Sequence, residues 1–246
     1  MTKSWPRNMP ICGWIDMTNT LELTFVSGDT KRSEPVVIND IIIGGWTGRD
    51  KAKLEEHIVE LEALGVARPV STPCFYRVGA NLLTTASSIQ TVGSGSSGEV
   101  EFVLLCKGES FWVGLGSDHT DREVEAYNVS ISKQCCPKPV ASTLWRHDDV
   151  REHWDELVLR SYRVEHGGKA LYQEGTVASM IDPMNLVAQY AKEVAPLVPG
   201  QLMFGGTLPV IGEITGAPRF EFELEDPVLG RKITHAYDMT CLPNIG

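Results

Sequence analysis

The chain has 246 residues, 42% of them hydrophobic, with a formal net charge of −10 from 22 basic and 32 acidic side chains. This length suffices to bury a substantial core in one large domain. The acidic balance argues against nonspecific nucleic-acid or anionic-membrane binding, which rest on clustered Lys and Arg, and no run approaches the roughly 20 apolar residues that span a bilayer.

The opening segment "MTKSWPRNMPICGWIDM" has no continuous apolar stretch of signal-peptide type. Residues 1–18 are expected to form a poorly ordered extension, with Met17 as an alternative start, ahead of a single domain over residues 19–246 of a soluble cytoplasmic protein. "LELTFVS" (21–27) alternates as a strand, "GDTKRSEP" reads as a charged turn, and "VVINDIIIGG" (36–45) as two short strands around Asn-Asp. "GRDKAKLEEHIVELEALG" (48–65) is the clearest helix, with Asp50 as N-cap, Leu54, Ile58, Leu61 and Leu64 at helical spacing, and Gly65 closing it.

Beyond it the pattern turns to β, in "CFYRV", "SIQTVG", "EVEFVLLC" and "SFWVGLG". "VGSGSSG" (92–98) lacks the lysine and following helix of a phosphate loop and reads as a flexible turn. "RHDDVREHWDEL" (146–157) is a short polar helix or turn without HExxH, and its two histidines, six residues apart, fall on different helix faces. A hairpin turning at His166-Gly167-Gly168 follows. "DPMNLVAQYAKEVA" (182–195) is a second helix, with Asp182 as N-cap and Pro183 at its first position. The strands "QLMFGG", "RFEFELE" and "RKITHAYDM" finish the chain, which reads as a β-rich α+β domain with a few helices. The six cysteines (12, 74, 106, 135, 136 and 241) make no CxxC and no zinc spacing, and read as reduced packing thiols.

Two stretches can carry chemistry. In "GEVEFVLL" (98–105) strand alternation puts Glu99 and Glu101 on one face with Val103 and Leu105 continuing it, and Val100, Phe102 and Leu104 on the other. Alone, the pair reads most simply as a solvated sheet edge, although the apolar continuation argues for burial. "GSDHTDREVE" (116–125) packs Asp118, His119, Asp121, Arg122, Glu123 and Glu125 behind the apolar run "FWVGLG". A surface loop is the simple reading. Three carboxylates from neighbouring strands would instead make an all-oxygen site suited to Mg²⁺ or Mn²⁺.

The motifs "GWTGRD", "SGEVEF", "GSDHTDRE" and "SKQCCPKP", in this order, together with "PGQLMFGGTLP" (199–209), resemble the fumarylacetoacetate hydrolase superfamily over about residues 35–240. The sequence is most similar to an uncharacterised bacterial family at that superfamily's margin. The resemblance implies a mixed β-sheet roll with a few peripheral helices, and a homodimer. It implies Glu99, Glu101 and Asp118 as ligands of Mg²⁺, with Mn²⁺ or Ca²⁺ as alternatives. Arg122 and Lys133 match the superfamily's Arg and Lys near the substrate, and Thr207, with Gly206 beside it, matches the substrate-facing threonine.

Two departures stand out. The interval from Glu101 to Asp118 is short, as though the tight turn "KGES" replaced a connecting helix. The superfamily's His-Glu acid/base dyad is also not written in "GWTGRDKAKLEEH", where Lys51 stands at the histidine position and Leu54 near the glutamate, with Glu55 and His57 close by. Lys51, Glu55 and His119 are the remaining acid/base candidates, and Arg77 aligns with a basic residue on a strand entering the site. His119 reads equally as an orienting group and Arg77 as a surface residue. The implied activity is divalent-metal-dependent hydrolysis of a C–C or acyl bond in a small 2-oxo or 1,3-dicarbonyl carboxylic acid. Decarboxylation, dehydration or tautomerisation of such an acid, or metal-dependent binding without turnover, are the alternatives.

Overall fold

The computed structural model describes residues 19–63 and 68–245. The expected N-terminal extension and the Leu64-Gly65 helix end lie outside them. The larger sheet has eight strands, in the order β2 (Thr30–Ile38), β1 (Asn19–Ser27), β12 (Thr143–Arg146), β9 (Ser110–Ser117), β8 (Val100–Lys107), β15 (Gln201–Thr207), β3 (Asp40–Gly45) and β4 (Cys74–Val78). The second has five: β14 (Gly168–Thr176), β13 (Val158–Glu165), β16 (Arg219–Asp226), β17 (Arg231–Leu242) and β6 (Ser88–Val92). Two short pairs complete the set, β7 (Ser96–Ser97) with β10 (Thr120–Asp121) and β5 (Leu83–Thr84) with β11 (Lys138–Pro139).

Strand β8 is buried on both faces, and its alternation assigns each face to a different core. Val100, Phe102 and Leu104 fill the layer between the sheets with Phe220, Phe222, Leu224 and Tyr237. Val103 and Leu105 join Leu23, Ile41, Ile43, Val78 and Phe204. That second core draws on strands from both ends of the larger sheet, so the sheet curls around its own inner face as a roll. Asn19 Nδ2 helps to close it, donating to the carbonyls of Ala80 (3.0 Å) and Leu83 (2.6 Å) beyond the opposite edge.

The helices follow their caps. Asp50 Oδ1 accepts from the N–H groups of Ala52 (3.0 Å) and Lys53 (3.3 Å) to start α1 (Lys51–Ala63), whose Leu54 and Ile58 are buried. Asp182 caps α4 (Pro183–Glu193) in the same way, and Leu186 and Tyr190 pack on Ile42 and Met203. No helix among the described residues is long and apolar enough to cross a membrane.

Two expectations are corrected. The charged stretch "TKRSEP" is an exposed edge strand and only Gly28-Asp29 turns; the charges suit an edge, where they discourage pairing with another chain. The Gly/Ser-rich "VGSGSSG" is not a flexible turn, because Ser96 and Ser97 are fully buried and pair with Asp121 and Thr120.

The second sheet is tied down at Asp226, which ends β16 fully buried. Its Oδ1 accepts from Leu229 N–H (3.0 Å) and lies 3.0 Å from His153 Nε2, while Oδ2 accepts from Arg231 Nε at 3.0 Å. Burial works to raise this carboxyl, but Leu229, His153 and Arg231 outweigh it and hold the group below its ordinary value. The unfolded chain therefore takes up the proton first on acidification, so the stabilisation is present above about pH 4 and is lost as pH falls through the folded value. Asp226→Asn is expected to lower stability by about 3 kcal/mol near neutral pH. In urea titrations its deficit against wild type should narrow as pH falls below about 4; a deficit independent of pH would contradict this account.

Candidate metal centre

The site grows out of the β8–β9 hairpin. Lys107 and Ser110 pair across the turn, and Gly108 takes the left-handed conformation there (φ +60°), so the short "KGES" connection joins the strands directly. In this register Val100 faces Ser117 and Glu101 faces Gly116, and Asp118 N–H donates to Glu99 O at 3.0 Å. Glu99, Glu101 and Asp118 thereby share the inner face at one end of the roll, with one carboxylate oxygen from each within 4.8 Å of the others. Gly116 leaves room behind them, since a Cβ there would meet the Phe204 ring at 2.7 Å.

The next segment is not a surface loop. Asp118, His119 and Thr120 are fully buried. Asp121 then caps α2 (Arg122–Tyr127) by accepting from Glu123 and Val124 N–H (both 3.0 Å), and Asn128 caps α3 (Val129–Gln134) by accepting from Ile131 N–H (3.0 Å). These two short helices deliver cations to the carboxylates. Arg122 Nη1 donates to Glu99 Oε1 and to Glu125 Oε2, both at 2.9 Å. Lys133 Nζ donates to Asp118 Oδ2 and lies 3.4 Å from Glu99 Oε2. A third cation, Lys138 on β11, was not singled out from the sequence: its fully buried Nζ lies 3.0 Å from Asp118 Oδ1 and donates to His119 O at 2.6 Å.

These contacts set the charge states. Burial alone would raise Glu99 and Asp118, but Lys133 with Arg122 holds Glu99, and Lys133 with Lys138 holds Asp118, below the ordinary carboxylate range. Burial alone would lower Lys133 and Arg122, and their carboxylate partners raise both, so each stays charged. Glu101 differs. Among the described residues no Lys or Arg makes an ion pair with it, and Oε2 accepts a hydrogen bond from Gly206 N–H at 2.7 Å. Burial, with the charges of Asp118 and Glu99, pushes its pKa well above the ordinary value. A buried carboxylate without a cation, in an all-oxygen cluster of three, fits a hard divalent ion.

The Gly-Gly-Thr segment supports that carboxylate. The β8–β15 ladder shifts between Phe204 and Thr207, and Gly206 bridges the shift at φ +101°, where a Cβ would lie 1.8 Å from Thr47 Oγ1. Thr47 Oγ1 donates to Gly205 O (2.9 Å). Thr207 Oγ1 donates to Val100 O (2.9 Å) and accepts from Gln173 Nε2 (2.9 Å), and Gln173 Oε1 accepts from Val100 N–H (3.0 Å). Gln173 therefore holds the strand that presents Glu101, and Thr47 holds the glycine segment whose N–H supports its carboxylate.

Four expected site residues stand elsewhere. His119 alternates with Asp118 and faces the inter-sheet core. There its Nδ1 pairs with Tyr237 OH and its Nε2 with Ser96 Oγ, both at 2.9 Å, and burial, with Lys138 and Arg122, pushes its pKa down to about 3. Arg77 pairs with Asp40 and donates to Tyr190 OH (3.2 Å); its neighbour Tyr76 faces the site, with its ring centre 6.0 Å from Lys133 Nζ. Lys51 and Glu55 are exposed, and Glu55 pairs with Arg68 (2.6 Å). Burying Leu54 turns the next residue outward, about 100° around the helix. Thr207, expected to face substrate, has its hydroxyl engaged between strands. A cavity of about 560 Å³ is lined by Cys74, Tyr76, Glu125, Tyr127 and Arg68 among others; Glu125 is the ion-pair partner of Arg122, and the Tyr76 ring is the neighbour of Lys133.

Solved structures place this architecture in a class. A fumarylacetoacetate isomerase/hydrolase candidate from Oleispira antarctica matches with TM-score 0.63 at 18% identity, covering 89% of this chain and 100% of that one. Yeast ynq8, a fumarylacetoacetate hydrolase family protein, matches with TM-score 0.60 at 18% identity (85% and 95% covered). A 2-keto-3-deoxyarabinonate dehydratase matches with TM-score 0.63 at 14% identity (87% and 77% covered). The fold is that of the fumarylacetoacetate hydrolase superfamily. The chain belongs to the family described as "Protein of unknown function (DUF2848)", whose model matches residues 44–237. No curated protein sequence matches it.

Gly206→Ala should cost about 2 kcal/mol or more, from the left-handed backbone and the clash with Thr47. Thermal unfolding checks this; an unchanged melting temperature would show that the strand shift is not fixed as described.

Proposed function

We propose that the protein is a divalent-metal-dependent enzyme acting on a small 2-oxo or 1,3-dicarbonyl carboxylic acid. The observation that carries this reading is the clustered triad of Glu99, Glu101 and Asp118, in which Glu101 has no ion-pairing cation among the described residues. These three residues would hold Mg²⁺ or Mn²⁺, which supplies Lewis-acid polarisation of the substrate's oxo and carboxylate oxygens.

The chain's own groups do the rest. Gly206 N–H fixes one oxygen of Glu101, and Lys138 fixes one oxygen of Asp118. Lys133 stays protonated next to the Tyr76 ring and would serve as a point charge for a substrate carboxylate or for negative charge that develops on bond cleavage. Arg122 performs the same task from the other side of Glu99, its guanidinium oriented by Glu125 and by Ser97 Oγ, to which Nε donates at 2.7 Å.

Hydrolysis of a C–C or acyl bond is the activity the fold family suggests first, and it requires a base to activate water. Lys51, Glu55 and His119 do not face the carboxylates, and this favours a second reading. Decarboxylation, dehydration or tautomerisation of a 2-oxo acid calls on the metal and on Lys133 with fewer proton-transfer groups, and one matching fold belongs to a dehydratase.

Asp118→Asn and Glu101→Gln should each abolish Mn²⁺ binding in calorimetry and turnover of a 2-oxo and acylpyruvate panel, while the circular dichroism spectrum is retained. Undiminished turnover by metal-free protein would refute the proposal.

A further inference from the structure

Lys138 is an unusual residue to find where it is. Its side chain has no exposed surface, yet it ends in a cation placed 3.0 Å from Asp118 Oδ1 and hydrogen-bonded to the His119 carbonyl. Lysine is almost never fully buried unless paired. The backbone carrying it is also stiff: Pro137 and Pro139 flank it, each with a fixed φ, and β11 pairs in parallel with β5. Lys133, which contacts the same aspartate, retains 8% of its side-chain surface and borders Tyr76 at the cavity. Of the two lysines, Lys138 is the one that cannot leave.

Its effect is on charge. Three carboxylates of the centre, Glu99, Asp118 and Glu125, are matched by three cations, Arg122, Lys133 and Lys138. Among the described residues Glu101 is the one carboxylate of the cluster without an ion-pair partner, a single negative group against the two positive charges of an ion. A divalent ion thus brings positive charge that the buried centre does not offset, and in a site of low dielectric such excess is costly. A ligand that coordinates through anionic oxygens restores the balance. We infer that Lys138 makes divalent-ion binding conditional on an anionic, oxygen-chelating ligand, so that ion and anion bind as a cooperative pair. This rests on the proposed metal site. By linkage the effect is reciprocal, with the ion raising the anion's affinity by the same factor.

The test measures Mn²⁺ binding by calorimetry or electron paramagnetic resonance, at matched free Mn²⁺, with and without oxalate as the probe anion. In wild type, oxalate is expected to tighten Mn²⁺ binding on the order of 30-fold. Lys138→Met should bind Mn²⁺ alone about tenfold more tightly than wild type and lose most of the oxalate gain. Lys138→Gln, which keeps a donor for the His119 carbonyl, is the second neutral variant and should behave alike. A wild-type oxalate gain below about threefold overturns the inference, and this needs no variant to fold. Folded neutral variants that bind Mn²⁺ no more tightly than wild type overturn it as well. If wild type binds no Mn²⁺ with or without oxalate, or if Asp118→Asn binds it as well as wild type, the metal reading itself fails.

Discussion

Three carboxylates within 4.8 Å of one another, in the interior of a β-roll, repel each other and lose solvation together. Much of the local architecture is what allows them to remain there. The tight β8–β9 turn sets Asp118 directly against Glu99, so the crowding is fixed by ladder register and not by flexible side chains. The capped helices α2 and α3 then bring in Arg122 and Lys133, and β11 brings Lys138 from the opposite side. At Glu101, which among the described residues has no ion-pair partner, a backbone N–H is turned inward by a break in the β8–β15 ladder. Close packing of glycine makes that break feasible: a Cβ at Gly205 would lie 2.0 Å from the Phe102 ring.

The same arrangement sorts the candidate chemistry. On the inner face of the roll, Glu99, Asp118, Lys133 and Arg122 are interconnected by ion pairs, and Glu101 lies among them held by the Gly206 N–H. Groups one residue away in sequence serve other purposes. His119 is a neutral member of a buried chain with Tyr237, Ser117 and Ser96, and Ser117 Oγ accepts from Glu99 N–H at 3.2 Å. This network braces the hairpin from behind.

How much of this was legible in the sequence varies with the residue. The alternation in "GEVEFVLL" assigned both faces of β8 correctly, because a strand buried on both sides has its side-chain directions fixed by period two. The order of short motifs pointed to the three carboxylates and to Arg122 and Lys133. Lys138 escaped because a lysine between two prolines reads as an exposed turn, and its burial depends on Asp118, twenty residues earlier. Ser96 and Ser97 escaped because a Gly/Ser-rich stretch has no periodicity, and its order comes from pairing with Thr120 and Asp121. Arg77 was expected at the site and Tyr76 stands there in its place, because the face each takes is set by the pairing of β4 with β3, which local sequence does not encode.

The account stands on a divalent ion bound by three oxygens at the end of the roll. A crystal soaked in Mn²⁺, with diffraction collected at an energy where manganese scatters anomalously, tests it most directly. The account predicts one strong anomalous peak about 2.0–2.6 Å from carboxylate oxygens of Glu99, Glu101 and Asp118. A crystal saturated with Mn²⁺ whose anomalous map is flat there, or peaks only at surface carboxylates, would contradict it.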